Sequence, residues 1–297
     1  MGTLRQPAHH RLRIAGEADA GALRRLVGDW ALDAATAARA RAELVATELA
    51  TNLVRHAKPG GWVLVRPVPT DGVEFLAVDH GPGIADLPAA LEGRSPAPGG
   101  LGRGLAAVRR ASSDFDVDTG PGRGTAVLAR VSFGDGAPPA GTDRGGVSVG
   151  VMEVCGTADP ADLDGLLNRA NAAMRDTRGG AMTACLLEPG RRELHYFAVG
   201  NVSGRVLAGP DERGLALSAG TLGLKVEPPR TRVLSLPWPP GASLVLWTDG
   251  LSSRLELSSQ AGLFTHDPAL VAATLHREHT RERDDATVVV IRHPERS

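Results

Sequence analysis

Val73-Glu-Phe-Leu-Ala-Val-Asp-His-Gly-Pro-Gly-Ile84 is the stretch on which the reading of this 297-residue chain turns. It begins as an apolar run of strand length and stops at Asp79, followed by Gly81-Pro-Gly83. A carboxylate at the end of a buried strand can accept a hydrogen bond from an exocyclic amine, and two glycines let backbone approach a flat ring. On its own the segment also fits a hairpin turn, where Asp and Gly are common. The segments on either side decide between the two.

Upstream, Ala46-Thr-Glu-Leu-Ala-Thr-Asn-Leu-Val-Arg-His56 has helical spacing. Glu48 and Asn52, four apart, project from one face beside the apolar stripe of Val45, Leu49 and Leu53. Alone, such a pair reads as solvated. Downstream, Gly99-Gly-Leu-Gly-Arg-Gly-Leu-Ala-Ala-Val-Arg-Arg110 opens a helix with glycines, and the terminal amides and dipole of such a helix suit phosphate. The segment follows a Pro/Ser/Gly loop and not a strand, so a dinucleotide fingerprint is rejected. Gly122-Arg-Gly-Thr-Ala-Val127 makes a turn whose Thr125 opens another strand. Neither a Walker A lysine motif nor the eukaryotic kinase signature set is present.

In this order and spacing, Glu48/Asn52, Asp79-x-Gly81-x-Gly83, Gly100-x-Gly102-x-Gly104 and Gly124-Thr125 resemble the ATP-binding boxes of the GHKL superfamily. Thr47-Glu-Leu-Ala-Thr-Asn52 and Asp79-His-Gly-Pro-Gly-Ile84 are closest to the anti-sigma and switch serine kinases of the RsbW/RsbT type, over about residues 11–131. Each box is weak alone; four in order are specific. The resemblance implies that Asn52 coordinates Mg²⁺ on the phosphates of ATP and that Glu48 is the general base. It gives Asp79 the adenine amino group, Gly81 and Gly83 the shape of that pocket, Gly100, Gly102 and Gly104 the phosphate lid, and Thr125 support of the adenine end. Arg103, inside the lid, fits either a γ-phosphate contact or a solvated loop arginine. Arg55, His56 and Lys58 are read as surface residues.

Periodicity gives the first half strands at 11–14, 62–67, 73–79, 115–118 and 125–131, with helices at 20–30, 34–56 and 105–111. This is an α+β layer with helices on one face of a mostly antiparallel sheet, the Bergerat-type ATP-binding sandwich of the resemblance. Residues 134–146 are too rich in Gly and Pro for regular structure and read as a linker. The expected organisation is a kinase domain at 11–133, the linker, and a second domain at 147–293. In the latter, strands are expected at 147–151, 182–187, 193–199, 204–207, 232–236, 243–248 and 287–292, with helices at 162–175 and 268–279.

In the second half Asp249 ends the apolar run Ser243-Leu-Val-Leu-Trp-Thr-Asp-Gly250, and Asp284 and Asp285 precede Ala-Thr-Val-Val-Val-Ile291. Carboxylates from neighbouring strand ends can converge on a hard divalent cation; alone, each is a turn aspartate. With Phe197-Ala-Val-Gly-Asn201, Gly220-Thr-Leu-Gly223 and Pro239-Pro-Gly241 they resemble the SpoIIE/RsbX branch of PPM-type serine/threonine phosphatases, over about 146–293. That match implies Asp249 and Asp284 as ligands of Mn²⁺ or Mg²⁺. It also marks a departure. The family's early strands, with their Gly-Asp and Asp-Gly-x-Gly-His-Gly-like segments, are missing, because Glu153-Val-Cys-Gly156 runs through Asp159 straight into a helix. A two-metal mechanism needs several carboxylates, so the second domain is expected to be phosphatase-derived, incomplete, and weak or inactive.

Composition sets the remaining bounds. A net charge of -1 and 3% aromatics leave nothing to draw the chain onto nucleic acid or an anionic membrane. Cys155 and Cys185 read as buried thiols of a reducing compartment, and Met1–His10 lacks a signal-peptide core, so a cytoplasmic location is expected. The kinase resemblance implies a STAS-domain anti-sigma antagonist or a sigma factor as partner, with homodimerisation left open. Two alternatives stay open beside an ATP- and Mg-dependent serine/threonine kinase: a bifunctional kinase/phosphatase, and a non-catalytic ATP-gated anti-sigma binding module.

Overall fold

The computed structural model describes residues 9–68, 72–94, 104–134, 147–148, 160–188, 190–252, 255–280 and 286–293. Gly100, Gly102, Arg103, Cys155, Asp159, Asp284 and Asp285 lie outside them, as do all but the first residue of the expected linker and the segment of the expected missing strands. The chain divides into two compact units, one of Gln6–Thr142 with Ala269–Glu278, the other built mainly of Asp143–Pro268 and His279–Ser297.

The first unit opens with β1 (His10–Ile14), α1 (Glu17–Trp30), α2 (Thr36–His56), β2 (Gly61–Val68) and β3 (Gly72–Asp79). It continues with α3 (Leu87–Leu91), α4 (Gly104–Ala111), β4 (Asp114–Thr119) and β5 (Thr125–Ser132). The strands form one antiparallel sheet in the order β1-β2-β3-β5-β4. Side chains alternate between its faces. Val63, Phe75, Ala77, Val127 and Ala129 meet Val45, Leu49 and Leu53 of α2 in one core, joined by Leu23 of α1 and Val108 of α4. The short helix α3 falls in a segment read as loop. Asp86 caps it by accepting from the Ala89 amide at 2.9 Å, and Pro88 occupies its first turn. Both signals were legible in the sequence.

The second unit contains β6 (Val147–Ser148), α5 (Pro160–Ala173), β7 (Met182–Glu188), β8 (Glu193–Val199), β9 (Ser203–Ala208), β10 (Asp211–Gly214), β11 (Leu234–Pro237) and β12 (Ser243–Trp247). A 3-10 stretch at Ser258–Thr265, helix α6 (Pro268–His279) and β13 (Val288–Arg292) follow in the chain. Two sheets, β10-β9-β12-β13-β6 and β11-β8-β7, face each other. Leu194, Tyr196 and Ala198 of β8 meet Val206 and Leu244 of the larger sheet, with Trp238 between. The other face of β8, through Phe197 and Val199, is covered by Leu163 and Leu167 of α5. Cys185 belongs to β7, and burial pushes its thiol up to about 12, so at neutral pH it is no thiolate.

Helix α6 follows the sequence-based bounds, but ten of its residues belong to the first unit. Ala269, Leu270 and Ala273 pack on Leu64, Leu76, Ala126 and Leu128, the sheet face opposite α2. The sheet therefore carries helices on both faces, which explains why β3 reads as a continuous apolar run instead of an alternating one.

Glu74 is buried on that second face, 1% exposed, beside the buried Arg66. Arg66 Nε donates to it at 2.8 Å and Arg130 Nε at 2.6 Å, and His9 Nε2 lies 3.1 Å away. Burial by itself would raise the carboxyl. The His9 hydrogen bond and the charges of Arg130 and Arg66 outweigh it and hold Glu74 well below the usual carboxylate range. A depressed folded value means stability that is complete above the unfolded value of about 4.3 and is lost as pH falls toward the folded one. Glu74→Gln is expected to cost about 3–5 kcal/mol at pH 7 by removing the charge that two arginines share. Urea unfolding at pH 7 and pH 3 checks this: the deficit should shrink at pH 3, and an equal deficit at both would contradict it.

Candidate functional site

Glu48 and Asn52 occupy consecutive turns near the end of α2, both half-buried, on the edge of the stripe that Leu49 and Leu53 bury. The first turn of α4 lies over them. A Cβ added to Gly104, the first residue of α4, would fall 2.7 Å from Glu48 Oε2 and 3.2 Å from Asn52 Oδ1. A side chain at 104 would displace the Glu48 carboxylate. The first amides of a helix have no partner within it and carry the positive end of its dipole. A carboxylate, a carboxamide and a helix N-terminus thus converge, a donor and acceptor set suited to a polyphosphate with its cation.

Asp79 ends β3, paired in register with Gly61 of β2 and Thr125 of β5. The Gly81 amide donates to Asp79 Oδ1 at 2.7 Å, so the side chain is held by its own loop. Burial raises the Asp79 carboxyl, and the backbone donors of Gly81 and Thr125 offset the rise without cancelling it. Around it, backbone lies directly on backbone. A Cβ at Gly83 (φ +71°) would fall 1.9 Å from the Gly120 carbonyl oxygen, and one at Gly124 (φ +74°) 2.2 Å from that of Asp79.

Thr119 was not singled out from the sequence, yet it ties the two loops together. Its hydroxyl accepts from the Ile84 amide (3.0 Å), donates to the Gly124 carbonyl (3.0 Å) and lies 3.1 Å from Thr125 Oγ1. Since the carbonyl takes the Thr119 proton, Thr125 is the donor in the last contact and keeps acceptor capacity. A lone Thr between Asp118 and Gly120 offers no sequence signal for this role. Arg55, His56 and Lys58 are exposed, as expected.

In the second unit, Asn201 Nδ2 donates to Asp249 Oδ2 at 2.5 Å, bringing together two segments that the sequence singled out separately. The Thr248 amide donates to the Thr287 carbonyl and the Thr287 amide to Thr248 Oγ1, so Asp249 stands beside the start of β13. Among the described residues, Asp249 belongs to no group of three candidate metal ligands, and its expected partner Asp284 lies outside them. The one such group among them is Glu188, Glu193 and His195, where His195 Nε2 lies 2.7 Å from Glu188 and Nδ1 2.8 Å from Ser235 Oγ. No helix among the described residues is long and apolar enough to cross a membrane.

Residues 15–131 match the histidine kinase-like ATPase domain family, and residues 156–294 match Stage II sporulation protein E, SpoIIE. The chain is 34% identical over 122 residues to serine/threonine-protein kinase RsbT of Bacillus subtilis, a match covering 40% of this chain and 92% of RsbT. The chain belongs, through its first half, to the RsbT family of serine/threonine kinases, and its second half carries a SpoIIE-type PPM domain. Similar solved structures include RsbX in complex with magnesium (14% identity, TM-score 0.38, 77% of this chain and 94% of that one). Another is the phosphatase domain of SpoIIE from Bacillus subtilis (16%, 0.35, 63% and 89%).

The loop geometry predicts the outcome of Gly83→Ala. A left-handed φ costs a non-glycine residue about 1–2 kcal/mol, and displacing the Gly120 carbonyl adds to that. The urea midpoint should fall accordingly; a variant as stable as the parent would show that the two loops are not held in backbone contact.

Proposed function

We propose that the chain is an ATP- and Mg²⁺-dependent serine/threonine protein kinase of a regulatory partner switch, acting on a hydroxyl of a STAS-domain antagonist protein. The observation that carries this reading is the convergence of Gly104, Glu48 and Asn52, with Asp79 at the end of the adjoining β3. Phosphoryl transfer asks chiefly for positioning and for neutralisation of charge, and these residues divide that work. Asp79, with Gly81 and Gly83 shaping its loop and Thr125 beside it, accepts from the adenine amino group. Gly104 begins the helix whose amides would hold the phosphates, and Gly100 and Gly102, outside the described residues, are read as lid glycines. Asn52 supplies an oxygen to the cation, and Mg²⁺ when bound neutralises the phosphate charge. Glu48 takes the proton of the attacking hydroxyl and orients it.

The second half is read as a regulatory remnant or a docking platform for the phosphoprotein, since its sequence departs from the family's early carboxylate-bearing segments. In the domain assignment that follows, the kinase unit is 11–133 together with 269–278, 134–146 is the linker, and the rest of 147–293 is phosphatase-derived.

Glu48→Ala is expected to lower phosphate transfer to a STAS protein by about 10²–10⁴-fold while ATP affinity stays within about threefold. Asp249→Ala should leave transfer unchanged. Labelled ATP with Mg²⁺ and the STAS protein, beside a direct nucleotide titration, measures both. Full transfer in Glu48→Ala would remove Glu48 from the role of base, and Mn²⁺-dependent phosphoserine hydrolysis lost in Asp249→Ala would establish a phosphatase instead of a remnant.

A further inference from the structure

Helix α6 lies near the end of the segment that matches SpoIIE, and its residues 269–278 form part of the unit built on the first half of the chain. Ala269, Leu270 and Ala273 bury the near end of one face on the sheet. Thr274 and Arg277 continue the same face at helical spacing, toward the end of the sheet where β3 passes into the Asp79 loop.

Three residues adjacent to the loops around Asp79 make polar contacts with α6 there. His80, next to Asp79, has Nε2 3.1 Å from the Arg277 carbonyl oxygen, and because a carbonyl only accepts, His80 donates. Asp118, next to Thr119, accepts from Arg277 Nη2 at 2.9 Å and from Thr274 Oγ1 at 3.3 Å. Arg123, next to Gly124, donates to Glu278 Oε1 through Nε (3.2 Å) and Nη2 (2.8 Å), and Arg277 Nη2 reaches the same oxygen at 2.9 Å. One turn of α6 therefore fastens the strand end that carries Asp79, the strand that carries Thr119, and the turn that carries Gly124 and Thr125.

An arginine is a costly way to make a purely structural contact here. The Arg277 side chain is 1% exposed, and its Nε and Nη1 have no hydrogen-bond partner among the described residues. Apolar side chains of similar volume often replace buried ion pairs without loss of stability. The charge of Arg277 also acts on Asp79 from the back of the sheet, lowering a carboxyl that burial raises.

We propose that residues 269–278 are a working part of the nucleotide site and that Arg277 is a positioning residue for its adenine end, acting through His80 and Asp118. This rests on the reading of Asp79 as the adenine acceptor. It makes ATP affinity dependent on a helix encoded in the phosphatase-like segment, so a chain ended at the linker would lack part of its own nucleotide site.

The test uses the full chain, with ATP and ADP titrated against the parent, Arg277→Met, Arg277→Lys and Asp118→Asn, each followed by urea unfolding. Arg277→Met should weaken ATP and ADP by the same factor, about five- to tenfold, the scale of one charge-assisted hydrogen bond. Its urea midpoint should fall, because Asp118 and Glu278 lose a buried partner, and combining it with Asp118→Asn should restore part of the loss. Arg277→Lys should recover part of the affinity, and Asp118→Asn should add little to Arg277→Met because the two act as one unit. In transfer assays the KM for ATP should rise while kcat at saturation holds. Should Arg277→Met fail to fold, the half-exposed pair provides the same test: Arg123→Met and Glu278→Gln should each weaken both nucleotides by about two- to threefold. Unchanged nucleotide affinity in variants of a parent that binds ATP would overturn the proposal alone, as would a loss confined to ATP, which would point to the phosphates. A parent chain that binds neither nucleotide would overturn the adenine reading and this proposal with it.

Discussion

Asp79 is paired across β3 and β5 with Thr125 and across β2 and β3 with Gly61, and the arrangement of the first unit depends on that register. A slip of one residue would turn Asp79 to the opposite face of the sheet and send Phe75 and Ala77 out of the α2 core. The register is defended from both ends. Apolar side chains fill both faces of β3, and at its end Gly83 and Gly124 allow backbone contacts that no side chain could enter. The carboxylate is thus positioned by strand pairing and close packing before any ligand is considered.

Charge is distributed over the two ends of the second sheet face in different ways. At one end Glu74 is enclosed by Arg66, Arg130 and His9, a network in which each opposite charge answers the cost of burying the other. At the other end the Arg277 side chain is as deeply buried and contacts Asp118, beside Thr119, and its own helix neighbour Glu278. The first arrangement holds strands of the sheet together; the second holds α6 against the sheet end that carries Asp79.

Much of the first unit was legible because its signals are local. The apolar spacing of α2, the run of β3 and the glycine boxes each announce one element or one turn, and the four boxes in order define the class. The short helix α3 carries its own signals in Asp86 and Pro88, but they sit in a Gly- and Pro-rich context that hides them from periodicity. Thr119 carried no signal, since its role arises from three groups distant in the chain that meet at one hydroxyl. In the second half Asp249 and Asn201 were noted separately, and their hydrogen bond is a product of how β12 lies beside β9.

By itself the sequence determined most of the helices and strands and marked the residues proposed for the nucleotide chemistry, because periodicity and turn glycines act over a few residues. The placement of α6 was decided only by tertiary structure. Residues 269 to 275 are apolar or small and buried all round, so the pattern specifies a buried helix and leaves open which sheet it buries against. Long-range packing on Leu64, Leu76 and Leu128 settles that choice, and with it brings Arg277 to the back of Asp79.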